Sequence, residues 1–129
     1  MPQTDVFFYE EAPGEVPVLD WLEEIGRRDR RAVNKCQEAI GRLAAMGHEL
    51  RRPQADLLRD GIYELRVRVG RVNYRVLYFF HGRGVALLAH GLTKEKAVPP
   101  GEIDRAVQRK RRFEADPEQH TYEEEHNDG

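Results

Sequence analysis

Apolar and polar positions alternate with a period of two from Ile62 to Val69, at the head of a strand-like stretch that begins at Gly61, and follow a longer, helical period in segments on both sides of that stretch. Tyr63, Leu65, Val67 and Val69 interleave with Ile62, Glu64, Arg66 and Arg68, the pattern of a strand with one apolar face and one largely polar face. Gly70-Arg71 offers a two-residue turn. Val72 to Phe80 is rich in β-branched and aromatic residues, His81-Gly82-Arg83-Gly84 is a second turn, and Val85 to Leu92 is a third apolar run. An antiparallel meander is expected here. Val6 to Tyr9 reads as a short further strand, with Glu10 to Val16 as a loop.

Helical spacing appears next. Val18, Trp21, Leu22 and Ile25 follow i, i+3, i+4, i+7 behind Pro17, which suits a helix's first turn, and Gly26 lies near that helix's end. Asp29 is placed to cap a second helix whose buried stripe is Val33, Cys36, Ile40, Leu43 and Ala44, with Gly47 as its stop. His48 to Asp60 reads as a loop. Pro99-Pro100-Gly101 precedes a last helix built on Ile103, Ala106 and Val107. The expected fold is α+β: a small antiparallel sheet of about four strands, an N-terminal helical hairpin and a C-terminal helix, in the order βααβββα.

Composition narrows the class. At 129 residues, 40% hydrophobic and 34% charged, the chain suits one globular domain. No apolar run approaches the roughly 20 residues that span a bilayer, so no membrane association is expected. The first residues carry neither a basic nor an apolar leader region, and Cys36 is a single cysteine in an apolar setting. Together they suggest a core residue in a reducing cytoplasm. No phosphate loop, dinucleotide fingerprint, nucleophile elbow or metal-ligand spacing occurs, so neither cofactor nor metal is expected.

Charge changes the picture more. Residues 114–129 hold seven acids and no Lys or Arg, while residues 1–113 hold 21 basic and 16 acidic groups, a net of +5. The boundary divides a folded domain, 1–113, from an acidic tail, 114–129, read as disordered or loosely attached. A tail folded back over a basic groove is a sharper alternative. Ten cations against four acids lie between Arg51 and Lys96, where a polyanion would dock. Arg66 and Arg68 share a strand face, Arg75 lies on the next strand, and His90 ends the third run, followed by Lys94 and Lys96. Metal-free RNA cleavage needs a base for the 2′-hydroxyl, an acid for the leaving 5′-oxygen and cations for the phosphoryl charge. Arg66, Arg75, His90 and Lys94 contain those types. Arg51, Arg52, Arg59, Arg68 and Lys96 are candidates for RNA backbone. The bland reading has each arginine on a solvated face, Glu64 pairing locally, His90 as a hydrogen-bonded residue beside Ala86, Leu88 and Leu92, and Tyr74 and Tyr78 in the core.

Tyr63-Glu64-Leu65-Arg66, then Tyr74-Arg75-Val76-Leu77-Tyr78-Phe79, then His90-Gly91-Leu92-Thr93-Lys94, followed by a basic helix, resembles the phage-derived HigB-type toxins of the RelE/ParE superfamily. The resemblance runs from about Val6 to Phe113. It implies the toxin of a toxin–antitoxin pair, cutting mRNA on the ribosome without metal and neutralised by a cognate helix-turn-helix antitoxin. It places functional groups at Arg66, Arg75, His90 and Lys94. Relatives often carry a Tyr or His near the C-terminus, and the basic helix here offers none before His120. Two alternatives stand beside this reading: a ParE-like gyrase inhibitor without nuclease activity, and a non-toxic phage-related interaction module.

Overall fold

The computed structural model describes residues 3–93 and 97–123. The chain runs β1 (Asp5–Phe8), α1 (Pro17–Arg28), α2 (Arg30–Met46), a single 3-10 turn (Gly47–Glu49), β2 (Ala55–Arg59), β3 (Ile62–Val69), β4 (Val72–His81), β5 (Val85–Thr93) and α3 (Pro100–Ala115). The sheet order is β1-β5-β4-β3-β2. β2 to β5 are antiparallel neighbours, and β1 lies parallel to β5, so the sheet is mixed.

The fold is α+β as expected, with five strands where about four were expected. The added strand, β2, falls inside the stretch read as a loop. Ala55–Arg59 lacks a clean alternation, and a register shift between Leu57 and Arg59 interrupts its ladder with β3. Such a strand is made by its partner more than by its own pattern. The parallel pairing of β1 depends on where the helical hairpin crosses, which local periodicity does not encode.

The helical hairpin covers one face of the sheet, packing Val18, Leu22, Cys36 and Leu43 on Leu65, Val67, Val76, Tyr78 and Leu88. α3 covers the other face, with Ile103, Val107 and Phe113 against Ile62, Leu77, Phe79 and Leu87. Each fully buried side chain of this size contributes about 1.5–3 kcal/mol relative to exposure. Asp29 is a shared hinge. Its backbone N–H closes α1 on the Ile25 carbonyl, and its Oδ1 accepts the N–H groups of Arg31 (3.0 Å) and Ala32 (3.3 Å) to start α2. Gly26 lies in the last turn of α1, near its end as expected. A Cβ there would come within 3.2 Å of Val33 Cγ2, so glycine lets the two helices approach closely. Cys36 is buried, and that burial pushes its thiol up to about 11, so it stays protonated and acts as core.

The stretch from residue 114 begins inside α3. Beyond it, Glu10 N–H donates to the His120 carbonyl (2.9 Å), Tyr122 N–H donates to the Phe8 carbonyl (2.9 Å), and Tyr9 bridges Thr121. His120 stacks on Tyr9, with ring centroids 5.4 Å apart. Residues 120–122 therefore lie along β1, at the opposite edge of the sheet from β3 and β2, and not over Arg66 and Arg68. The remainder of the acidic tail, 124–129, lies outside the described residues. No helix among the described residues is long and apolar enough to cross a membrane.

Candidate functional site: an arginine hollow on the sheet

Strand alternation and register bring Arg66 and Arg75 together. They are direct cross-strand partners on the face that carries α3, where alternation also places Glu64 and Arg68. Glu64 is buried, at 3% exposure, and it is the hub. Arg66 Nη2 donates to Glu64 Oε2 at 2.9 Å, and Arg75 Nη1 donates to Glu64 Oε1. Arg66 also reaches Asp56 Oδ2 at 3.4 Å. A carboxylate at this depth survives only with both oxygens satisfied, and two guanidiniums do that. The cost is freedom: Arg75 is 13% exposed and fixed, whereas Arg66 keeps 37% exposure.

Beside this cluster is an open hollow of about 320 Å³ lined by Arg66, Arg68, Asn73 and Arg75, with Pro53, Gln54, Val67 and Tyr74. Its lining holds three arginines and no carboxylate side chain. Arg68 is exposed and bonds its own turn, Nε to the Gly70 carbonyl at 3.2 Å. Such a hollow suits a phosphate.

His90 is not in it. Leu77 stands between them in register, opposite Glu64 on one side and His90 on the other, so two strand spacings, about 10 Å, separate the last two. The expected strand face for His90 is also corrected. A register shift at Leu77/Tyr78 resets the alternation of β5: Ala86 and Leu88 join the helical-hairpin core, while His90 turns with Leu92 toward α3. There Arg109 Nη1 donates to His90 Nδ1 at 3.1 Å and to the Ala89 carbonyl at 2.8 Å. A guanidinium cannot accept, so Nδ1 is bare and Nε2–H donates to Glu102 Oε1 at 2.9 Å. Burial lowers the His90 pKa; the Glu102 bond raises it, and the nearby Arg109 charge adds to the lowering. His90 is a neutral clasp for α3.

The other expected residues divide. Lys94 and Lys96 lie outside the described residues. Arg59, expected to hold RNA backbone, is committed elsewhere: it ties β2 to α3 through Asp104 and the Pro100 carbonyl (3.3 Å), and bonds Asp60 at 2.9 Å. Arg52 pairs with Asp56 at 3.0 Å, and Arg51 is exposed. His120, the late histidine, sits on Tyr9 at β1 and not in the hollow. Tyr74 and Tyr78 are buried core residues. Sequence reasoning missed Arg109 and Glu102 as the partners of His90. Their only signal was a helical spacing of seven, which puts both on one face of α3.

A small mixed sheet held between a helical hairpin and a C-terminal helix, with arginines gathered on one strand pair, defines a class of small α+β proteins with a cationic face. The chain belongs to the phage-derived Gp49-like protein family (DUF891), whose model matches residues 20–111, from the first turn of α1 into α3. That family is grouped with the RelE/ParE-like toxins. No curated protein matches the chain.

Proposed function

We propose that this protein is the toxin of a type II toxin–antitoxin pair, a HigB-type, ribosome-dependent endoribonuclease that cuts mRNA without a metal and is neutralised by a helix-turn-helix antitoxin. The observation that carries this is the register pairing of Arg66 with Arg75 beside a hollow whose lining is cationic. Arg66 and Arg68 hold the scissile phosphate, and Arg75, fixed on Glu64, contributes charge to the transition state. The 2′-oxygen bonds phosphorus as the phosphorus–5′-oxygen bond breaks; water takes the proton of the 2′-hydroxyl and gives one to the 5′-oxygen. His90 is seated under α3, and Glu64, buried with both oxygens bonded and outside the hollow's lining, is not placed to take that proton, so the arginines' charge carries the catalysis.

The hold of Glu64 on both guanidiniums favours a second reading, a ParE-like gyrase inhibitor or a non-toxic interaction module, in which the same cluster is structural. Expression of Arg66→Ala/Arg68→Ala separates them. This pair leaves the Arg75–Glu64 bond in place but frees Glu64 Oε2, so the variant's fold is checked by circular dichroism, and Arg68→Ala alone, which touches neither Glu64 oxygen, is read beside it. Growth arrest with cleaved mRNA in the parent and neither in the variant supports the nuclease. Arrest with intact mRNA, DNA damage and filamentation in the parent supports gyrase inhibition, and no arrest supports the non-toxic module.

A further inference from the structure

A second groove, of about 510 Å³, lies at the β2 edge and is lined by His48, Leu50, Arg51, Arg52, Ala55, Asp56, Leu57 and Tyr63. It combines two kinds of surface. One is aromatic: the exposed His48 ring lies flat on Phe80, with centroids 3.6 Å apart, and Phe80 meets Tyr63 edge-on at 5.3 Å. The other is cationic: Arg51 forms no ion pair among the described residues, and Arg52 is bonded to Asp56 with its side chain largely exposed. Leu57, 54% exposed and the cross-strand partner of Tyr63, extends the apolar floor.

The groove is contiguous with the arginine hollow. Pro53 and Gln54 line the hollow, while Arg52 and Ala55 on either side of them line the groove. One oxygen, Asp56 Oδ2, touches both Arg52 (3.0 Å) and Arg66 (3.4 Å), so those guanidiniums stand two hydrogen-bond lengths apart at most. A cationic path thus runs Arg68, Arg66, Arg52, Arg51 around the sheet's β2 edge and ends at a ring.

We infer that this groove binds a nucleotide of single-stranded RNA adjoining the one held in the hollow: its base stacks on His48 and its phosphate meets Arg51. The inference rests on the RNA-directed reading above and adds a base-recognising subsite to it. Aromatic rings accept any base by stacking, and guanidiniums track the backbone, which is the usual chemistry of single-strand grooves.

The test titrates the full chain, at low salt, into short fluorescein-labelled RNAs, each carrying one abasic nucleotide at a different position. Stacking predicts one position at which base loss weakens binding by about fivefold or more. His48→Ala erases that position's effect, and His48→Phe, which keeps a ring, restores it. Arg51→Ala weakens every strand alike and reduces the salt slope by about 0.7. A flat abasic profile in the parent protein overturns the inference. So does a profile unchanged in His48→Ala, or displacement of RNA by a polyglutamate peptide whose own binding shows the same His48 dependence. Failure of the nuclease reading looks different: mRNA stays intact in expressing cells while the abasic profile persists.

Discussion

Gly91 shows how one residue in a recognisable string is held by packing alone. A Cβ at Gly91 would lie 2.3 Å from Trp21 Cδ2, because the indole of α1 rests on the β5 backbone. Gly91→Ala is therefore expected to lower unfolding free energy by about 1–3 kcal/mol in urea titration, the usual cost of overpacking, and Trp21→Leu in the same chain should recover part of it. Equal stability of Gly91→Ala and parent would show that the indole moves aside freely. Arg75 is held by charge instead, on Glu64. Removing it leaves Glu64 buried with one oxygen unsatisfied, and Arg75→Ala should cost about 3 kcal/mol. The more exposed Arg66 should cost less when truncated. The reverse order in denaturant midpoints would refute the assignment of Glu64 as a buried hub.

At the scale of elements, the attachment of α3 to the sheet carries a pH dependence. The groups facing His90 are Glu102, Arg105 and Arg109, all from α3. Its pKa is lowered in the fold, so the unfolded chain binds the proton more readily, and stability rises with pH in that window. The contribution is present above the ordinary value of about 6.5 and is lost as pH falls below it. Urea midpoints at pH 7.5 and pH 5.5 should differ in that direction. His90→Gln, which can both accept from Arg109 and donate to Glu102, should flatten the difference. An unaltered slope in that variant would assign the pH dependence to other groups.

The whole molecule manages its two sheet edges differently. The outer edge of β1 is partly covered by residues 120–122, while β2 ends the sheet at the other side beside the cationic path. His120→Ala with Tyr122→Pro keeps the tail's acidic charge while removing the ring on Tyr9 and the N–H donated to Phe8. Exposing that strand is expected to cause concentration-dependent self-association, read by sedimentation velocity. A strictly monomeric variant would show that the segment protects nothing.

Much of this was written locally. The period-2 run from Ile62, the helical stripes of Val18–Ile25 and Val33–Leu43, and the Asp29 cap each depend on neighbours a few residues away, so the three helices and the meander were legible. β2 was not, because Ala55–Arg59 becomes a strand only by pairing with β3 across a register shift. The face of His90 was not legible either, since one bulge in β5 resets the alternation on which the expectation rested.

The candidate site divides in the same way. The sequence alone determined which strands carry the arginines, and that Arg66 and Arg68 share a face, because side-chain direction in a strand is a matter of counting by two. Tertiary structure alone decided that Arg66 faces Arg75, that Glu64 holds both, that Arg59 and His90 serve α3 instead of the hollow, and that His48 and Arg51 meet in a groove. Those outcomes depend on register, on bulges and on which element covers which face. All three are set by long-range burial, where a guanidinium goes to whichever carboxylate the packing brings within reach.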